Sequence, residues 1–330
     1  MSKKVFITGI NGFIGSNVAK KFLEKGYEVE GLIRKNSDVS FIKNLPIGLY
    51  KGDIRDKGSY EELLKNIDIV VHVAGLAADW GPYQKFHEIN YLGTKQVVAA
   101  SSKANVKRFV YISTVAFHGF GKTNIKEEEP PASNLIPYAK TKWMAEQWLW
   151  EFSSKTEMEI AAIRPGNVFG PNDRTFMLKY IESIEQGKFA QINKGKAKTC
   201  PTFIYNLTDA IFLASTHKNA PNNAFIVTDG LDIDWNTFNS ILFNKLGKPF
   251  KPMSIPYSLA MTAAKINYTL HKLFFPNKEP FLTPYRINNG GKDYHFSIEK
   301  IKKLLGFMPQ YDIETALDLT VKWYKTYKHK

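Results

Sequence analysis

Residues Lys4–Gly15 read KVFITGINGFIG. An unbroken apolar run of strand length, KVFIT, meets a loop with glycines at Gly9, Gly12 and Gly15. A helical pattern follows at Phe13–Lys25, apolar on one face. A strand that enters a helix through such a loop presents backbone N–H groups with no side chains in the way, which suits a pyrophosphate. Glycine supplies the positive φ of a tight turn and lets strand and helix approach closely. The G-x-x-G-x-x-G spacing is one residue longer than the G-x-G-x-x-G fingerprint, so the flanking strand and helix decide the reading. The cofactor-binding candidates here are Gly9, Asn11, Gly12, Phe13, Ile14 and Gly15.

Outward from this unit the alternation continues to Pro165. Glu28–Ile33, Leu49–Lys51, Ile69–Val73, Arg108–Ile112 and Glu159–Ile163 read as further strands. Helical patterns lie around Glu61–Lys65, Phe86–Lys103 and Ala139–Ser153. Strands that are apolar on both faces and alternate with helices predict an α/β fold, a doubly wound parallel sheet covered on both sides. After Pro165 the rhythm breaks. A helix at Phe176–Gln186, a helix at Thr208–Thr216 and a strand at Ala224–Val227 precede a helix-rich, proline-punctuated tail. The pattern divides the chain into a dinucleotide-binding domain, 1–165, with 204–230 returning to it, and a smaller, partly interleaved C-terminal substrate lobe made of 166–203 and 231–330.

At 330 residues the chain can bury a sizeable core. Its formal charge is 45 − 31 = +14. The lysines are scattered, with no long run of one sign, so the surface reads as solvated and no nucleic-acid partner is expected. A single Cys200 excludes an intramolecular disulfide and a cysteine-based zinc site. The N-terminus enters a strand at once, and no stretch is long and apolar enough for a spanning helix. A cytoplasmic protein is the expectation, with peripheral membrane contact left open.

An acid about 20 residues beyond the last glycine would bind a ribose 2′-hydroxyl. This chain instead has Ile33-Arg34-Lys35, two cations that suit a 2′-phosphate, so NADP is favoured over NAD. Farther along, Tyr138 and Lys142 stand one helical turn apart in YAKTKWMAEQWLW. A tyrosine exchanges protons poorly near neutrality, and a neighbouring ammonium lowers its pKa. Such a pair can do acid–base work on an alcohol or ketone. Thr114 follows the strand FVYIS at the carboxyl edge, where it could bond the reacting oxygen, with Ser113 its nearest competitor.

With these segments the chain resembles the extended short-chain dehydrogenases/reductases of the NAD-dependent epimerase/dehydratase superfamily. The resemblance rests on TGINGFIG, GDIRD (Gly52–Asp56), HVAG (His72–Gly75), the YAKTK helix and RPGNVFGP (Arg164–Pro171). It implies a Rossmann sheet and direct hydride transfer without a metal. Tyr138 would be the acid/base, Lys142 would hold the nicotinamide ribose and tune the tyrosine, and Thr114 would orient the substrate oxygen. Asn90 would fix active-site backbone and water. Asp53 and Ile54 would meet adenine, Ala74 and Gly75 would line the cofactor, and Pro165 and Val168 would approach the carboxamide. Trp80-Gly81, FLTPYRI (Phe281–Ile287) and LLGFMPQYDIETAL (Leu304–Leu317) resemble the 3β-hydroxysteroid dehydrogenase and sterol-4-carboxylate dehydrogenase branch. An apolar small-molecule substrate and a homodimer follow from the same resemblance.

Several residues read as structural. Tyr257–Phe275 reads as a helix packed on the core of the small lobe, in preference to an amphipathic lid or membrane-surface helix. Glu127–Glu129 reads as a solvated acidic turn. His118 has a weak claim to the site, and His87 and His295 lack ligand spacing. Two other functions compete: a nucleotide-sugar epimerase or dehydratase, which needs basic contacts from a lobe whose only arginines are Arg174 and Arg286, and a non-catalytic dinucleotide sensor.

Overall fold

The computed structural model describes residues 2–328. Strands β1 (Lys4–Thr8), β2 (Glu28–Ile33), β3 (Gly48–Lys51), β4 (Ile69–His72), β5 (Arg108–Ile112), β6 (Glu159–Pro165) and β7 (Asn223–Val227) form one seven-stranded sheet. Every pairing is parallel and the spatial order is β7-β6-β5-β4-β1-β2-β3. The chain starts in the middle, winds outward through β2 and β3, then crosses back to β4. The order therefore reverses between β1 and β4, and sheets of this kind bind ligands beyond the carboxyl ends of the strands at such a reversal.

Side chains leave a strand on alternate faces, and the two halves of the core follow that period. Val5, Ile7, Val110, Ala161 and Ile163 face one layer, which includes helix α1 (Phe13–Glu24) and helix α4 (Ile204–Thr216). Phe6, Phe109, Tyr111, Ile160 and Ala162 face the other, with helix α2 (Thr94–Lys103) and helix α3 (Pro137–Ser153).

The run read as one helix, Phe86–Lys103, is composite. An α-turn at Tyr83–Phe86 leads into a π-helical segment at His87–Gly93, and α2 follows. The C-terminal third of the chain holds helix α5 (Trp235–Lys245), helix α6 (Tyr257–Phe274) and helix α7 (Pro284–Gly291). No helix among the described residues is long and apolar enough to cross a membrane.

Candidate active site

The loop after β1 is built for close approach. Gly9 has φ +68°, and the Gly12 N–H donates to its carbonyl at 3.0 Å. A Cβ at Gly15 would stand 2.2 Å from the Gly9 oxygen, and one at Gly9 would stand 2.9 Å from the Ala74 backbone. Only glycine fits at either place. Helix α1 then begins with no side-chain cap and no acid in its first turn. The N–H groups of Phe13, Ile14 and Gly15 are left as donors for an anion, so these residues fit a dinucleotide pyrophosphate.

Beside it, Asn11 Nδ2 donates to the Asp38 carbonyl at 3.1 Å. Arg34 is exposed at the tip of β2. The Asp53 carboxylate accepts from Arg55 Nε at 3.0 Å and Nη2 at 2.8 Å. Those bonds hold it below the usual range, with a smaller contribution from the charge of Arg34. Ile54 is buried against Gly93. Ala74 N–H donates to Thr8 Oγ1 at 3.2 Å, and Gly75 lies exposed beside Asn90 Oδ1. The Pro165 carbonyl accepts from Val115 N–H at 3.2 Å, which joins the ends of β5 and β6. Val168 is partly buried and pairs with Thr202.

Helix α3 starts on Pro137, whose missing N–H costs nothing there. Tyr138, Lys142 and Glu146 follow at four-residue intervals and share its inner face. Lys142 is buried; its Nζ donates to the Ile112 carbonyl at 2.5 Å and lies 4.0 Å from the Tyr111 ring centroid. Burial pulls its pKa down to about 7, with Glu146 opposing. Tyr138 is partly buried, and burial raises its pKa while a hydrogen bond with Thr114 lowers it. The ammonium expected to hold the phenol down donates to Ile112 instead, so in this arrangement Thr114 is what opposes the rise.

Thr114 and Ser113 have different tasks. Ser113 Oγ donates to Glu146 Oε2 at 2.5 Å, behind the helix, whereas Thr114 faces Tyr138 and its Oγ1 accepts from Ala116 N–H at 3.0 Å. Glu146 also accepts from Arg164 Nη2 at 2.5 Å and Nε at 3.0 Å. Arg164 Nη1 donates to the Glu127 carbonyl at 2.7 Å. Glu127 is therefore not a solvated surface acid. It is buried, its Oε1 accepts from Ile226 N–H at 2.9 Å, and burial raises its pKa. His118 lies in this same cluster, 3.5 Å from Arg164, with its pKa lowered to about 3 by burial and then by the guanidinium.

The π-helical turn explains how Asn90 reaches the sheet edge. Its wider winding buries Asn90, whose Oδ1 accepts from Leu76 N–H at 2.7 Å and whose Nδ2 donates to the Leu76 carbonyl at 3.0 Å. Nδ2 also lies 3.3 Å from Thr141 Oγ1, one residue before Lys142. A second chain runs underneath. Thr8 Oγ1 bonds His72 Nδ1 at 2.7 Å, His72 Nε2 bonds Thr94 Oγ1 at 3.0 Å, and Thr94 Oγ1 donates to the Asn90 carbonyl at 2.7 Å. One neutral tautomer satisfies every partner, with Nε2 protonated and Nδ1 accepting. Burial holds His72 down to about 3, so it stays neutral.

The C-terminal third of the chain supplies a residue that sequence reasoning did not place. Tyr285, on α7, packs with Leu135, Ile136, Tyr138 and Trp143 around Ala116, Phe117 and Ala139. It also meets Phe120 edge-on at 5.2 Å. The walls near Tyr138 are thus mostly apolar. The seam between loop 76–82 and residues 279–286 is polar: Arg286 Nη2 donates to Asp79 Oδ1 at 2.9 Å and pairs with Glu279, and Thr283 Oγ1 donates to Asp79 Oδ2 at 2.5 Å. Trp80 Nε1 donates to the Pro276 carbonyl at 3.2 Å, and its ring meets Tyr268 edge-on at 4.9 Å. Arg174 is engaged as well, by Asp38 at 2.6 Å, Ser40 at 3.0 Å and the Phe41 ring. Among the described residues no group of His, Cys, Asp or Glu could hold a metal ion.

A glycine loop at the switch point of a parallel sheet, with a Tyr/Lys helix beside it, defines a dinucleotide-dependent enzyme. The model of the NAD dependent epimerase/dehydratase family matches residues 5–227, and the chain belongs to that family. Its members, and the relatives of this chain, are NAD-dependent dehydrogenases, reductases and epimerases acting on CH–OH groups. The chain is 26% identical over 327 residues to a 2-alkyl-3-oxoalkanoate reductase of Stenotrophomonas maltophilia, covering 95% of this chain and 97% of that protein. It is 28% identical over 333 residues to a decarboxylating sterol-4-alpha-carboxylate 3-dehydrogenase of Mus musculus, covering 97% of this chain and 91% of the relative. A crystal structure of UDP-glucose 4-epimerase from Thermotoga maritima shares the fold with a TM-score of 0.80 at 21% identity, over 98% of this chain and 99% of that one.

Proposed function

We propose that this enzyme interconverts a secondary alcohol and a ketone on an apolar substrate, with NADP(H) preferred. The observation that carries the reading is the state of the two arginines of the small lobe. Arg174 is paired with Asp38, and Arg286 with Asp79 and Glu279, so a nucleotide diphosphate would have to displace a carboxylate from either guanidinium. Apolar and aromatic side chains take their place near Tyr138. The two relatives named for an oxoalkanoate and a sterol carboxylate support the same substrate class.

The backbone of Phe13–Gly15 holds the pyrophosphate, Arg34 meets the 2′-phosphate, and Asp53 with Ile54 borders the adenine. Ala74, Gly75, Pro165 and Val168 border the nicotinamide half. When bound, the cofactor supplies or accepts the hydride. Tyr138 Oη gives its proton to the carbonyl oxygen during reduction and takes it back during oxidation. Thr114 donates to the same oxygen and fixes its position. Lys142, whose Nζ donates to the Ile112 carbonyl, would hold the nicotinamide ribose and tune Tyr138. Asn90 acts by holding the Leu76 backbone and Thr141 in register. The chain works as a homodimer through the helices that carry Asn90 and Tyr138.

The test is oxidation of NADPH and of NADH by the purified protein with apolar ketones, 3-ketosteroids and long-chain β-keto acids among them. Net oxidation, faster with NADPH, is expected. Turnover of nucleotide sugars with no net oxidation of any ketone would replace this reading with the epimerase.

A further inference from the structure

Helix α6 carries two apolar faces where a lobe helix needs one. Ala260 and Ala264 are buried and pack with Ile287 of α7, Tyr257 and Met261. The expectation of a helix simply packed on its core is met on that narrow face only. Leu259, Ile266, Leu270, Leu273 and Phe274 are all exposed, Leu259 by 62%, Leu273 by 68% and Phe274 by 66%. At 100° per residue these five, with Ala263 between them, lie within an arc of about 100°. Phe275 and Phe281, the latter 80% exposed, extend the surface beyond the helix end. Monomeric proteins rarely leave so continuous an apolar strip in water.

The charge around the strip indicates its partner. From Trp235 to Lys278 the sequence holds no Asp or Glu, while Lys265, Lys272 and Lys278 lie on α6 or just after it. Lys265 and Lys272 are exposed on the polar side of the helix, about 80–100° beyond the edge of the strip, and Lys278 is exposed beside Phe275, 5.8 Å from its ring centroid. The next acid, Glu279, is paired with Arg286. A second copy of this chain would bring lysines against lysines. A surface that is apolar beneath and anionic above satisfies both features.

We propose that α6 docks the enzyme onto an anionic lipid bilayer, lying in its plane. The five exposed apolar side chains enter the acyl boundary, and Lys265, Lys272 and Lys278 meet the headgroups. Over its 18 residues the helix is about 27 Å long. Because Trp80 bonds the Pro276 carbonyl and rests on Tyr268, docking sets loop 76–82 beside the membrane. The proposal stands apart from the catalytic reading, since vesicle binding needs neither substrate nor cofactor.

The test is co-sedimentation of the full chain with vesicles of phosphatidylcholine, alone or mixed with phosphatidylglycerol. The double variant Leu270→Glu/Leu273→Glu is compared with Met308→Glu, a change at an apolar residue exposed elsewhere. Circular dichroism and NADPH binding show that each variant is folded. Wild type and Met308→Glu are expected to bind the anionic vesicles preferentially and less well in high salt. The double variant should bind roughly tenfold more weakly or worse. Equal binding by the double variant, or no binding of wild type to anionic vesicles at low salt, overturns the proposal. So does a wild-type dimer, unable to bind vesicles, that the double variant dissociates; the strip would then belong to a second copy.

Discussion

The inner face of α3 and the seam at Asp79 both use an arginine and a carboxylate, in opposite surroundings. In the first, Arg164 and Glu146 have side-chain exposures of 8% and 0%. In the second, Arg286 and Asp79 have exposures of 38% and 10%. A buried pair cannot open without stranding a charge, so it fixes the helix that carries Tyr138 and Lys142. A pair that touches water can part at little cost. The helix that carries Tyr138 and Lys142 is thus held rigidly, while loop 76–82 is fastened to α7 by bonds that can be exchanged for solvent.

The largest expected effect follows from that contrast. Glu146→Gln leaves Arg164 buried without a counter-charge and should cost about 3 kcal/mol or more in urea unfolding. A cost under about 1 kcal/mol would erase the distinction between the two pairs. Next is Lys142→Met, on the same face. The folded pKa of Lys142, about 7, lies below its ordinary 10.5, so the folded chain binds fewer protons between those values. The penalty of burying the charge is full below about pH 7 and fades as pH rises toward 10.5. Thermal unfolding should therefore favour the methionine variant over wild type most at pH 6, with the gap closing in alkali. A gap independent of pH would place the lysine in solvent.

Smaller effects belong to the exposed charges. Arg34→Ser should raise the KM for NADPH roughly tenfold, as expected for loss of a charge-assisted contact, and leave that for NADH nearly unchanged. Equal changes for both cofactors would remove the 2′-phosphate from the account. Asp79→Asn should lower stability by no more than about 1 kcal/mol. If it destabilises as much as Glu146→Gln does, the seam is as fixed as the helix.

The same division shows in what the sequence discloses. KVFITGINGFIG and YAKTK are legible because strand, turn and helix signals are local, and a helical turn brings Tyr138 and Lys142 together without tertiary help. What pairs across elements is not. Glu127 sits in a run of three acids and reads as surface, yet it alone of the three is buried under Arg164 by packing that no local pattern records. The π turn at His87–Gly93 leaves no mark in composition, although it places Asn90. Tyr285 lies in a segment quoted for its likeness to one branch, and only the fold brings it beside Tyr138. The apolar strip of α6 was visible as residues, but its exposure depended on what failed to cover it.

The central claim is that Tyr138 is the proton donor and acceptor for a ketone or alcohol. Steady-state oxidation of NADPH by wild type and Tyr138→Phe, with the best apolar ketone, tests it most directly. The account predicts a loss in kcat of roughly 10²–10⁴, with the Kd for NADPH unchanged. Equal kcat in the two proteins would contradict it, because the hydroxyl of Tyr138 would then have no part in the proton transfer.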